Sequence, residues 1–198
     1  LVKIGLVSDL HCNVAALETA FDLLSDCEEV LCAGDLMYQY RFEGGILDAL
    51  LRRGAHTILG NHDKTILFAP NHPLRQPGKV PEARLTALGA LPSNLALEFG
   101  GVRIRMFHGA PWDEVAGPSA HYLYPEDTAA MARLQQVEAD VIVLGHTHLP
   151  YAIDLAGRLV VNPGSCGEPK MGTTLRFCAA LDLSDRSVDF RSFPVEPA

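Results

Sequence analysis

The chain has 198 residues, of which 48% are apolar and 20% charged, and it carries a formal net charge of -8 at pH 7. That length suits one domain, 1–198, with a core of its own, and the composition is globular rather than disordered or fibrous. The acidic balance, with no Lys/Arg cluster, argues against a general nucleic-acid binder, and no apolar run is long enough to span a bilayer.

Val2 to Ser8 is apolar enough for a buried strand. Asn13 to Ser25 follows with Val14, Leu17, Phe21 and Leu24 at helical spacing and Asn13 as N-cap. Glu29 to Ala33 is a second strand, Gly44 to Arg53 a second helix and His56 to Leu59 a third strand. This βαβαβ alternation predicts a parallel sheet. Pro70 to Pro81 is rich in Pro, Gly and polar residues and is expected to be a loop, with a helix from Pro81 to Leu88. Leu95 to Phe99 and Val102 to Phe107 flank Gly100-Gly101, a hairpin signal. A loop from Ala110 to Pro125 leads to a helix from Glu126 to Val137 and a buried strand from Val141 to Leu144. The remainder alternates apolar and polar residues around turns at Ala156-Gly157 and Ser184-Asp185, which predicts antiparallel strands. A parallel first half and an antiparallel second half imply two packed sheets with helices outside.

Five of the eight His residues, His11, His62, His108, His146 and His148, stand directly after strand-like runs and beside Gly, Asp or Asn. A single such His is usually structural. Five of them at strand exits point to a ligand site, because ligands bind outside the carboxyl ends of strands in open α/β sheets. Asp9 and His11 are two apart, as are His146 and His148, so on extended backbone each pair points one way. Asp35 offers a carboxylate whose two oxygens can bridge two cations, and Asn61 a neutral oxygen. Imidazole and oxygen donors together suit Mn, Fe, Zn, Ni or Co. The five Cys form no C-x-x-C pair. Their odd number suits reduced thiols and a cytoplasmic protein better than a disulfide framework. Cys12 is expected to be a small packing residue.

Asp9-Leu10-His11, Gly34-Asp35, Gly60-Asn61-His62-Asp63, His108-Gly109 and Gly145-His146-Thr147-His148 resemble, in order, the motifs of calcineurin-like metallophosphoesterases. The compact size and Asn162-Pro163-Gly164-Ser165 are similar to the small prokaryotic phosphodiesterase branch. The resemblance implies an α/β four-layer α-β-β-α sandwich, with two mixed sheets face to face. It implies two divalent cations, Mn foremost, with Asp9, His11 and His148 on one, Asn61, His108 and His146 on the other, and Asp35 bridging. Such a pair, about 3.5–4 Å apart, would hold a hydroxide that attacks phosphorus. His62 falls at the general acid, as imidazolium, and Asn13 either contacts phosphate or caps its helix. The phosphatase extension Gly-Asp-x-x-Asp-Arg-Gly is absent after Asp35, which argues against a protein phosphatase and leaves the partner of His62 open. A small phosphoester, preferably a diester, is the expected substrate. A non-catalytic protein-binding scaffold and a nuclease are the alternatives, and an oligomer stays open.

Overall fold

The computed structural model describes residues 2–113 and 121–195. The first sheet contains β1 (Lys3–Val7), β2 (Glu29–Cys32), β3 (His56–Thr57), β9 (Leu175–Asp182) and β10 (Val188–Pro194), in the order β10-β9-β1-β2-β3. The second contains β4 (Asn94–Phe99), β5 (Val102–Phe107), β6 (Val141–Val143), β7 (Pro150–Leu155) and β8 (Arg158–Pro163), in the order β4-β5-β6-β8-β7.

Alternation along the strands explains why two sheets meet. Ile4 and Leu6 of β1, Leu31 of β2, and Ala179 and Leu181 of β9 share one buried cluster with Ile104 and Met106 of β5, Val141 and Val143 of β6, and Val161 of β8. The intervening residues point outward, because successive side chains of a strand alternate faces. Val7, Val30, Cys32, Cys178 and Ala180 pack under α1 (Val14–Leu23), α2 (Gly44–Arg53), α3 (Asn61–Phe68) and α4 (Glu82–Gly89). On the far side, Phe107, Ile142 and Val160 pack under α5 (Thr128–Leu134). The result is the expected four-layer α-β-β-α sandwich. Strands buried on both faces read as continuous apolar runs, as in Val-Ile-Val of β6.

Three expectations need correction. The parallel and antiparallel parts do not divide at mid-chain. β9 and β10 add antiparallel to the first sheet, beside parallel β1-β2-β3, and β5, β6 and β8 run parallel in the second. Edge pairing is decided by which apolar face finds a partner, and the order of strands along the chain does not reveal that. Second, α3 occupies a stretch for which the sequence suggested no helix; its apolar residues cluster at the C-terminal end, so its periodicity is weak. Third, β3 ends at Thr57, although Ile58 and Leu59 are also buried, because the Leu59 N–H turns to the Pro92 carbonyl. The predicted 70–81 loop contains a 3₁₀ turn at Pro73–Arg75. Of the predicted loop from Ala110 to Pro125, residues 114–120 lie outside the described residues.

A candidate metal centre at the strand exits

The chain leaves β1, β2, β5 and β6 at one end of the sandwich, and α3 begins there. Asp9, His11, Asp35, His108 and His146 are all buried at that end. Asp9, His11, Asp35, His146 and His148 have φ of 55°, 45°, 53°, 68° and 57°. The 2-residue spacing therefore does not work through extended backbone, as the sequence suggested. Left-handed residues turn the chain back on itself and aim both side chains of each pair inward. Such conformations cost on the order of 1–3 kcal/mol each in non-glycine residues. Here they are held by hydrogen bonds that continue past the strands: Asp9 N–H to Gly34 O (2.9 Å), Leu10 N–H to Asp35 O (2.8 Å) and His11 N–H to Asp35 O (3.0 Å).

Two groups of donors result. In the first, His11 Nε2 lies 3.1 Å from His148 Nε2, which lies 3.3 Å from Asp9 Oδ1. In the second, His108 Nε2 lies 3.3 Å from Asp35 Oδ2 and 3.0 Å from Asn61 Oδ1, with His146 close by. Asp35 Oδ2 is also 3.9 Å from His11 Nε2, so one oxygen stands between the groups. Its other oxygen, Oδ1, accepts the His62 N–H at 2.8 Å. The sequence expected a carboxylate bridging through two oxygens; Oδ1 is already committed, and Oδ2 alone faces both groups.

These residues fit a cation. His108 Nδ1 is 2.7 Å from the Ala33 carbonyl, which can only accept, so that nitrogen carries a proton. The other nitrogen of the neutral ring then turns a lone pair toward two more acceptors, Asp35 Oδ2 and Asn61 Oδ1. Such a cluster is stable only around a positive charge, and a His ligand held by a backbone carbonyl is the usual arrangement at a metal. Without metal the protein draws in a proton. Burial opposes charge on His108, but the Asp35 and Asp9 carboxylates and the Ala33 carbonyl outweigh it and push the ring up to about 9. Asp35 moves the opposite way: burial works against its charge, and His108, His11 and His62 hold it well below the ordinary carboxylate range. Burial lowers His11. The donor set contains no thiolate. Burial pushes the Cys12 thiol up, and Cys12 packs with its Sγ donating to Arg41 O (3.1 Å), as the packing expectation held.

His62 stands at the edge of both groups, with Nε2 3.9 Å from Asp35 Oδ2. Its orienting partner, open from sequence, is the Gln39 backbone N–H, which donates to Nδ1 at 3.1 Å. In the neutral ring Nδ1 is therefore the acceptor and Nε2 carries the N–H that faces the site. Tyr38 stacks on the ring, with centroids 5.0 Å apart. Asn13 is a cap: its Oδ1 accepts from Ala16 N–H at 3.0 Å, and its Nδ2 donates to Gly167 O at 3.3 Å.

Several residues that position the site had no assigned role. Asp63 Oδ2 accepts from Leu36 N–H (3.1 Å) and Gly60 N–H (2.9 Å), and Oδ1 from Met37 N–H (2.9 Å). Burial and the charge on Asp35 push Asp63 up to about 7, against the pull of those N–H donors. The signal lies in Gly60-Asn61-His62-Asp63, whose last member the resemblance leaves without a role. Asn162 Nδ2 donates to Gly145 O (2.6 Å), and Ser165 Oγ donates to Asp9 O (2.9 Å), so the Asn162-Pro163-Gly164-Ser165 turn braces the loops after β6 and β1. A Cβ on Gly60 would overlap the Asp35 carboxylate, so only glycine admits the Asp35 side chain there.

The profile of the calcineurin-like phosphoesterase superfamily domain matches residues 2–186. A probable metallophosphoesterase of Methanocaldococcus jannaschii, MJ0623, is 25% identical, over 98% of this chain and 81% of that relative. The crystal structure of a metallophosphoesterase from Sphaerobacter thermophilus superposes with a TM-score of 0.77 at 20% identity, covering 98% of this chain and 90% of that one. A structure described as a novel archaeal phosphodiesterase superposes with a TM-score of 0.59 at 19% identity, covering 98% of this chain and 100% of that one. With the strand-exit motifs in order and the four-layer fold built around them, this chain belongs to the calcineurin-like phosphoesterase superfamily.

Proposed function

We propose that the protein is a two-metal hydrolase of small phosphodiesters. Asp9, His11 and His148 would hold one divalent cation and Asn61, His108 and His146 the other, with Asp35 shared. The observation that carries this reading is the position of Asp35 Oδ2 between the two groups, 3.3 Å from His108 Nε2 and 3.9 Å from His11 Nε2. Divalent cations bound there supply a Lewis acid for phosphoryl oxygens and make water acidic enough to serve as nucleophile near neutral pH. Imidazole and carboxylate donors favour a transition metal, and manganese is the first to try.

The chain's own groups do the rest. Asp9 and Asp35 neutralise part of the cation charge, so a positive centre is left to attract an anionic ester despite the acidic surface. The Ala33 carbonyl fixes the His108 ring and its tautomer. His62, entering the step as imidazolium, would give its Nε2 proton to the leaving oxygen and be left as the neutral ring whose Nδ1 accepts from the Gln39 N–H. The nearby aromatic rings Tyr38 and Tyr122 lie on His62 and His146, where they narrow the approach for water.

Manganese-reconstituted protein is expected to hydrolyse bis(p-nitrophenyl) phosphate faster than p-nitrophenyl phosphate. Asp35→Asn should lower that rate by more than about 100-fold and the bound manganese with it, since even groups that merely support a ligand change affinity 10–100-fold. Metal content by mass spectrometry and initial rates check both. A full complement of metal and an unchanged rate in the variant would refute the shared-ligand reading. The scaffold reading would be favoured by wild-type protein that loads metal and turns over neither ester.

A further inference from the structure

The loops after β1 and β2 and the turn after β8 enclose a pocket of about 300 Å³ beside the first donor group, lined by His11, Asn13, Tyr38, Arg41, Glu168 and Arg176, among others. His11 belongs to both the pocket and the candidate metal centre, so an ester held at the metals would reach into this space. Arg41 Nη2 donates to His11 O at 2.7 Å, and Arg176 Nε donates to Gly167 O at 3.1 Å. Each bond uses one of a guanidinium's five donors. Neither arginine pairs with a carboxylate among the described residues, whereas Arg52, Arg84, Arg103 and Arg191 all do. In a chain of net charge -8, two arginines anchored through carbonyls into one cleft, with exposed Glu168 the one acidic residue among those that line it, are a local positive site. Arg41 also stands two residues beyond Gln39, where the sequence lacks the phosphatase arginine.

We infer that Arg41 and Arg176 form an anion subsite for a second phosphate group, so that the preferred substrates are phosphate esters that carry another phosphate away from the phosphorus attacked by water. This rests on the phosphoesterase reading above. Guanidinium forks match phosphate oxygens in pairs. Asn13 holds the Gly167 loop against α1 through one of its two Nδ2 hydrogens, with Oδ1 capping the helix.

The test pairs two chromogenic diesters, thymidine 5′-(p-nitrophenyl phosphate) with and without a 3′-phosphate. Manganese-loaded wild-type protein should prefer the 3′-phosphorylated ester in kcat/KM by about tenfold or more, the scale of a charged hydrogen bond. Arg41→Ala and Arg176→Ala should each reduce that ratio about tenfold, chiefly through KM, and Arg41→Lys should restore part of it. Arg75→Ala, in the 3₁₀ turn and not among the residues lining this pocket, is the control. Because the readout is a ratio, a general loss of rate does not imitate it. A wild-type ratio near one, or a ratio unchanged in both alanine variants, would overturn the subsite while leaving the phosphoesterase reading intact. If neither diester is cleaved, that reading fails instead, and calorimetric titration of thymidine 5′-monophosphate into metal-free protein decides the subsite: weaker binding by about tenfold in each variant supports it, and equal binding in all of them overturns it.

Discussion

At the scale of single residues, the centre depends on side chains whose backbone sits where glycine is usual. Asp9, His11, Asp35, His146 and His148 all have positive φ. The structure accepts that cost because the same turns bring these five side chains within reach of His108 and Asn61, and strain of this kind collects at functional sites. His62 differs, since it opens a helix with ordinary geometry and is aimed by one bond from Gln39. His62→Ala should therefore keep its metals and lose rate, by about 10²–10⁴-fold for esters with basic leaving groups. Rates across aryl and alkyl esters in the variant check this. Slowing that is the same for every leaving group would mean that Nε2–H acts on the bound phosphoryl group and not on the departing oxygen.

Elements are tied to one another near the centre by buried polar bonds, and Asp63 is the chief tie. It sits in the first turn of α3 and accepts N–H groups from the loop after β2 and from Gly60. In Asp63→Asn one of those two oxygens becomes an NH₂ facing an N–H, and each buried donor left without a partner costs about 1–3 kcal/mol. We expect a loss of that size in urea denaturation, together with weaker metal loading, because the loop that carries Asp35 is released. Unchanged stability would mean that the three N–H groups find water. The elements themselves were legible to different degrees. Gly44–Arg53 and Val102–Phe107 matched their predicted bounds, since each has a marked pattern and a clear stop. The predicted helix from Glu126 to Val137 shortened to Thr128–Leu134, with Asp127 as its cap. α3 went unseen because its first turn consists of site residues chosen for chemistry, not amphipathicity.

For the whole molecule, the first sheet is closed at its C-terminal edge by charge. Asp26, in the turn before β2, meets Arg191 of β10 at 2.5 Å and Lys3 of β1 at 3.1 Å. Hydrogen bonds from Arg191 and then Lys3 hold its carboxyl well below the ordinary range. A carboxyl depressed in the folded state adds stability above its unfolded value, near 3.8, and loses it as pH falls toward the folded value. Wild-type protein should thus lose stability more steeply than Asp26→Asn on acidification from about pH 5 to pH 2. Melting temperatures across that range check the difference; parallel curves would show that the cluster is screened by solvent. Among the described residues no helix is long and apolar enough to cross a membrane.

By itself the sequence determined the inventory: which residues carry metal-binding chemistry, which runs are buried strands, and the resemblance that implied a four-layer sandwich. Those are local properties, written in residue type, spacing and periodicity. Only the tertiary structure decided how the β9–β10 hairpin joins the first sheet, how left-handed turns gather Asp9, His11, Asp35, His146 and His148, which Asp35 oxygen faces both donor groups, and that Gln39 and Ala33 hold His62 and His108. Those outcomes depend on backbone groups far apart in the chain. Every residue carries the same N–H and C=O, so a list of side chains cannot say which of them will meet.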